Sequence, residues 1–495
     1  MQTKADTPQK ICVNISAEDL FCLAIHLKNG NSMDQKFQKA LSSWPTGIAA
    51  GPFLFFSGQM GLNASRSACQ SFDEVAGAGR GANSEYDWVN RIEAPVGAQG
   101  IAIYERYKKL LQVHGGNYNH LLRYHIFQRD KHFFSVFENL RRSYEKAPPA
   151  STAVGVGRFE PDDTVRFCID SIALNPRAEK SLGPRIVHPG ASAFAAAAHF
   201  SHVIQTGPYL FLAGQIPVDT SKPGAPLIRG YDDIPENGRF LKVGRSHEDT
   251  RNGPIASQTW FTYDLIRQHL EAAGSSMDQI LNVVVYLQDM RDFGTFHRVH
   301  EHFFPANPPA LTVIDVGEVG HKGTLIEIEP TAIAPGQGMT KRVVPATQKN
   351  AQMSIAAEAG GLAFFSNVPG VGANGSAAHK AADLPAAWRK HLSSVKPSEI
   401  TVQAVAVIAQ IEAQLATMGK TLSRVTHLTL FLNQVEDFLE VAPMFARVFG
   451  KKRPAVMVLE VPHPSPVAGV RVSATAIAWV GDGEPTAING KSAKH

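Results

Sequence analysis

Cysteine is scarce in this chain of 495 residues, which has only 4. Cys12, Cys22, Cys69 and Cys168 all fall in the first third with no C-x-x-C spacing. Free thiols in a reducing compartment are therefore expected, rather than a disulfide frame or a zinc site. Long apolar runs are missing as well. No stretch approaches the roughly 18 uninterrupted apolar residues that span a bilayer. The short LFCLAI at 20–25 follows Glu18 and Asp19 and is too brief for the core of a secretory leader. The expected address is the cytoplasm. An excess of one charge is also lacking: the formal net charge is +4 and no five Lys or Arg stand in a row. This argues against a phosphate-tracking stripe, and hence against nucleic acid as a partner.

What is present is repetition. FLFFSGQMG at 53–61 returns as YLFLAGQIP at 209–217 and, more loosely, as LAFFSNVPG at 362–370. Further landmarks recur in the same order, as a true internal repeat requires. After each phrase comes a Gly/Pro-rich insert, then apolar residues at helical spacing: Ile103, Tyr107, Leu110 and Leu111; Tyr263, Ile266 and Leu270; Ile408, Ile411 and Leu415. Gly115, Gly274 and Gly419 follow these helices at the same distance, the position of a left-handed C-terminal cap. A β-rich run, a second amphipathic helix, a Pro-Ala pair at 149–150, 309–310 or 454–455, and two more strands complete each unit.

One unit thus reads strand, strand, insert, helix, strand, helix, strand, strand, an α+β layer with helices on one side of the sheet. Its other face is apolar too, and an isolated copy would leave that face wet. Three copies covering one another inwardly would solve this. The boundaries expected are an N-terminal extension at 1–36, copies at 37–178, 190–336 and 343–482, and a loose tail at 483–495.

Copy two, through FLAGQIPVD, VVVYLQDMRDFGTFHRVHEHFF, NPPALTVIDV and LIEIEPTAIA, resembles the RidA (YjgF, L-PSP endoribonuclease-like) family of enamine and imine deaminases. Copies one and three are looser but keep order and spacing. The resemblance implies three tandem chorismate-mutase-like domains forming an intramolecular pseudo-threefold trimer. It also implies a small-molecule substrate in an interdomain cleft, with neither cofactor nor metal.

The family clasps a substrate carboxylate with an arginine directly after the Pro-Ala pair; here that position holds Ser151, Leu311 and Val456. The family's glutamate in the last strand is kept only as Glu327, with Cys168 and Ser473 as counterparts. Its aromatic lid position holds Trp44, Phe200 and Met353, and its helix asparagine becomes Phe137, His297 and Ala442. The strand-end serine is Ser57, Ala213 and Ser366, and Gly214 follows in copy two. Linked copies can keep one pocket and fill the others, so one main site around copy two is expected.

That site's expected acid/base is Glu327, which the IEIE alternation places on the same face as Glu329. His297, in FHRVHEHFF, is expected to position substrate, against the alternative of a surface helix histidine. Cys168 is a weaker candidate nucleophile, since a strand cysteine is usually buried and inert. Phe200, Gly214, Leu311, Ser151, Trp44 and Ser473 are the expected substrate contacts. Arg291 and Arg298 are spare cations. GVGANG at 370–375 fits G-x-G-x-x-G but lies in a hairpin register with no helix opening at its end, so no dinucleotide site is expected there. GAGRGAN at 77–83 lies in the first insert, a candidate lid.

Without the clasping arginine, the expected reaction shifts to hydrolysis or deamination at a C–N bond of an imine, enamine or cyclic amide. A binding or assembly protein without catalysis is the main alternative. A chorismate-type lyase or hydrolase comes third.

Overall fold

The structure is a computed structural model that describes residues 33–75, 87–161, 163–196, 198–336, 338–346, 353–392 and 397–488. Cys12, Cys22, the GAGRGAN insert and nearly all of the expected 1–36 extension lie outside the described residues. The order strand, strand, helix, strand, helix, strand, strand occurs three times. Gly115, Gly274 and Gly419 take φ of +78°, +74° and +67°, the left-handed conformation expected of caps that end the long helices. No helix among the described residues is long and apolar enough to cross a membrane.

In copy one, Leu121–Gln128 runs parallel to Ala150–Gly155 and antiparallel to Phe167–Leu174, which pairs with Phe53–Met60. Copies two and three repeat this pattern and merge into a 13-stranded sheet, joined where Ala310 pairs with Ser354. Helices cover one face of each sheet and bury separate clusters there. The opposite faces meet: Phe53 and Phe55, Tyr209 and Phe211, and Leu362 and Phe364 share one buried cluster drawn from all three copies. Phe53 and Tyr209 pack edge to face, 5.0 Å between centroids.

Each copy's first strand also gains an outer neighbour from the segment following the preceding copy. Arg185–His188 pairs with Val203–Thr206, and Arg342–Pro345 with Ser354–Ala359. The third such segment corrects an expectation. Thr486–Ile488, expected in a loose tail, forms a strand on Gly47–Ala50 of copy one. Ile488 is buried in that copy's core, so an apolar residue with an open sheet edge to pair with overrides the polar composition around it.

The shared inner face is not wholly apolar. His125 Nδ1 lies 2.6 Å from Asp170 and Nε2 lies 2.9 Å from Glu329, while Arg123 Nη1 stands 3.0 Å from Glu329. Burial opposes charge on His125, but Glu329 and Asp170 carry its pKa up to about 10. Asp170 stays ionised despite burial because His125 and His427 face it. These side chains sit where the alternation of a strand aims them inward. A buried charge survives there only because every member has a partner of opposite sign.

Candidate active site

The copies touch along three seams. At the first, Gly214 N–H donates to the Ser151 carbonyl at 3.2 Å and Ser201 N–H to the Pro149 carbonyl at 3.1 Å. At the second, Leu311 N–H donates to Ser366 Oγ at 2.8 Å. At the third, Val456 N–H donates to Ser57 Oγ at 2.9 Å.

A cavity of about 350 Å³ opens at the first seam, lined by copy one through Lys131, Arg141 and Ser151, and by copy two through Phe200, Gly214 and Glu327, among others. Four of the expected residues, Glu327, Phe200, Gly214 and Ser151, therefore come together. Glu327 is 4% exposed, in the strand Ile326–Ile333. Burial pushes its carboxyl up to about 7, with Lys131 and the backbone N–H groups of Ala153 and Gly320 opposing. Glu329, two residues on, shares its face but belongs to the inner charge cluster, where Arg123 and His125 outweigh burial and keep it ionised. A Cβ on Gly214 would collide with Glu327 Oε1 and crowd Thr152 Oγ1, so a side chain there would displace the Glu327 carboxylate.

Arg141, Lys131 and His202 are among the lining residues that were not anticipated. Arg141, on the helix Phe134–Tyr144, is 1% exposed and places Nη2 3.3 Å from Ser151 Oγ. Its ion pairs to Glu138 and Glu145 are slack at 3.5 Å, and its Nε has no partner. A guanidinium thus reaches the position after Pro-Ala from a different element. Lys131 donates to the Ala153 carbonyl at 2.7 Å; burial lowers its pKa while Glu327 and Glu318 oppose. His202 is buried against His269, with ring centroids 4.2 Å apart. Its ring nitrogens have no well-formed hydrogen bond, and burial lowers its pKa, favouring the neutral ring. The only sequence signal for Arg141 was its i, i+4 spacing to Glu145 within an ordinary amphipathic helix.

The remaining candidates lie elsewhere. His297 does not line this cavity: the bordering helix comes from copy one, and His297 Nδ1 sits 3.5 Å from Glu301 on copy two's own helix Phe293–Phe303. His300 of that helix turns into the core instead and bonds the Tyr263 hydroxyl at 2.7 Å. Cys168 is not a poised nucleophile; burial pushes its thiol well up and its Sγ lies 3.5 Å from Met457 Sδ. Leu311 fills the second seam as core. Ser473, at the glutamate position, donates to the Pro464 carbonyl at 2.6 Å. Trp44 borders a different, smaller cavity at the third seam. Arg291 is exposed and pairs with Asp289, and Arg298 reaches Thr295. GVGANG lies in a turn closed by the Val371–Ala377 bridge, with no helix opening at its end.

The sequence model of the Endoribonuclease L-PSP family matches residues 190–334 and 385–478. A RutC family protein of Pyrococcus horikoshii is 34% identical over 133 residues, 27% of this chain and 85% of that protein. One from Pyrococcus abyssi is 32% identical over 133 residues, covering 27% and 84%. The crystal structure of the YjgF gene product from E. coli aligns at 24% identity with a TM-score of 0.23, covering 30% of this chain and 98% of that one.

Proposed function

The chain belongs to the RidA (YjgF, L-PSP) family, and from that premise we propose that its copies form an internal trimer whose first seam hydrolyses a C–N bond of a small imine or enamine. The observation that carries this reading is Glu327, buried at the cavity wall with a pKa of about 7. A carboxyl near neutrality serves as base and as acid within one turnover. Ionised, Glu327 takes a proton from water as the oxygen bonds to the imine carbon and the C=N electrons move to nitrogen. Protonated, it gives that proton to the nitrogen, leaving a neutral amino alcohol; a second transfer through the same carboxyl moves the hydroxyl proton to the amine as C=O forms and the C–N bond breaks, so an imine and water give a carbonyl compound and ammonia.

The cationic groups favour a substrate bearing an acidic group. Arg141, with slack partners and an unused Nε, and Lys131 both line the cavity. They restore a carboxylate clasp that the residues after Pro-Ala lack. The other seams carry Cys168 and Ser473 in place of the acid, and neither supplies a carboxyl.

The test supplies the purified chain with imines made in situ: 2-imino acids, matched neutral imines, and cyclic amides. Faster ammonia release from imines, with acidic ones preferred, is expected. No acceleration over buffer for any compound rejects the enzymatic reading, and saturable binding without turnover would favour a binding protein.

A further inference from the structure

The strand Ala150–Gly155 is the edge of copy one's sheet and forms the copy-one side of the first seam. Along one side it pairs in parallel with Leu121–Gln128. Along the other it meets copy two peptide by peptide, since alternate residues of a strand direct their backbone groups to the same side. The Ser151 carbonyl accepts from Gly214 N–H at 3.2 Å, and Gly155 exchanges two bonds with Glu318, at 2.8 and 3.2 Å. Ala153 lies between them. Its carbonyl accepts from Lys131 Nζ at 2.7 Å, and its N–H faces the Glu327 carboxyl. Glu327 is thus seated where a further backbone partner would stand.

What holds this edge in register is a side chain. Thr152, 1% exposed, donates its hydroxyl to Glu329 Oε2. The other oxygen of Glu329 lies 3.0 Å from Arg123 Nη1 and 2.9 Å from His125 Nε2. Arg123 and His125 sit on the neighbouring strand, with His125 in register with Thr152, so two adjoining strands of copy one grip a single carboxylate of copy two. Arg123 adds bonds to Thr331 Oγ1 at 2.8 Å and to the Leu212 carbonyl at 2.7 Å. Thr152 also adjoins the candidate acid/base. A Cβ built on Gly214 would press on both Glu327 Oε1 and Thr152 Oγ1, so the hydroxyl anchored by Glu329 and the carboxyl of Glu327 crowd the same side of one residue.

We propose that Thr152 is a positioning residue for Glu327: anchored to Glu329, it locks the edge strand of copy one in the register that sets the Ala153 N–H against the Glu327 carboxylate. This role rests on the reaction proposed at the first seam and goes beyond it, because Thr152 is no part of the cavity wall and acts through its neighbour's amide. A valine of the same shape would leave a buried oxygen of Glu329 without its donor and the edge free to slide. An N–H aimed at a carboxylate favours the ionised form, so losing it delays release of the proton as pH rises. Lys131 and Glu329 are the charges that act on Glu327, and Glu318 stands by Lys131. Arg141, His132, His202 and His321 line the same cavity. Substitution at Thr152 leaves all of them in place.

The test reads the titration of Glu327 by infrared spectroscopy of the full chain, from the carboxyl C=O stretch that disappears when the same chain carries Glu327→Gln. In Thr152→Val the carboxyl should release its proton roughly one pH unit higher than in the parent, the loss of one hydrogen bond to a charged group. The acid limb of kcat/KM for the preferred imine should move with it. Thr152→Ser, which keeps the hydroxyl and drops the methyl, should titrate as the parent does. An unshifted Thr152→Val, or a Thr152→Ser shifted as far, would overturn the proposal. The infrared reading needs no turnover. A shift confined to Thr152→Val in a chain that hydrolyses no imine would therefore uphold the positioning role and reject the reaction, whereas turnover with no shift would overturn the positioning role alone.

Discussion

Arg141 Nη2 stands 3.3 Å from Ser151 Oγ, so a guanidinium carried by the helix Phe134–Tyr144 reaches the residue directly after Pro-Ala. Arg141 is also the counter-charge of Glu145, a buried carboxyl whose pKa burial raises against the pull of Arg141. Arg141→Met should therefore destabilise the chain by about 3–5 kcal/mol, the usual result of stranding one member of a buried pair. Glu145→Gln in the same chain should recover a substantial part, measured by urea denaturation. Arg141→Lys keeps the charge but loses the fork, and should raise KM for acidic imines more than it lowers kcat.

Glu327 links activity to stability. Burial favours its protonated form, so between the ordinary value of 4.5 and about 7 the folded chain holds a proton that the unfolded chain has released. Stability falls as pH rises through that window. The shift amounts to roughly 3 kcal/mol at about 1.4 kcal/mol per unit. Glu327→Gln should be more stable than the parent at pH 8 by an amount of that order, with the difference vanishing near pH 4.5. Parallel denaturation curves at both pH values check this.

His125 shows the opposite sign. Its folded pKa is raised to about 10, so the stability it contributes is fully present below 6.5 and is lost as pH rises towards 10. His125→Leu should cost most at pH 6 and progressively less up to pH 10, leaving Asp170 and Glu329 with fewer counter-charges at the lower pH. Denaturant midpoints of both chains across that range measure the trend.

The order of elements, the left-handed glycines and the pairing of Glu327 with Glu329 on one strand face were legible because local periodicity and backbone sterics determine them. The grouping of Glu327, Gly214, Phe200 and Ser151 at a junction was an expectation of the family resemblance rather than of periodicity. Arg141, Lys131 and His202 were not legible, because which copy lends its helix to which cleft is a tertiary fact. RRSY reads the same on an exposed helix as on one whose arginine is buried. His297 misled for the same reason: the helix that borders this cleft is copy one's Phe134–Tyr144, not copy two's Phe293–Phe303. The inner charge cluster was hidden because Arg123 and His125 share one strand while Asp170 and Glu329 sit in two others, all of ordinary appearance. The loose tail was misread because polar composition says nothing of an open edge strand waiting elsewhere in the fold.

That edge has its own consequence. Ile488 pairs with Gly47 and is 4% exposed in the core of copy one. Ile488→Ala should cost near the low end of the ~2–5 kcal/mol typical of buried isoleucine truncation. Calorimetry should show a lowered Tm, and hydrogen exchange should show faster opening of Gly47–Ala50 than of Val203–Thr206.

The central claim is that one seam carries the reaction through Glu327 while its counterparts are silent. Steady-state turnover of the preferred imine by Glu327→Gln, Cys168→Ala and Ser473→Ala tests it most directly. A loss of about 100-fold or more is predicted for Glu327→Gln, the scale of a general acid–base group, with rates near the parent's for the other two. Undiminished turnover by Glu327→Gln, or a comparable loss in Cys168→Ala or Ser473→Ala, would contradict it.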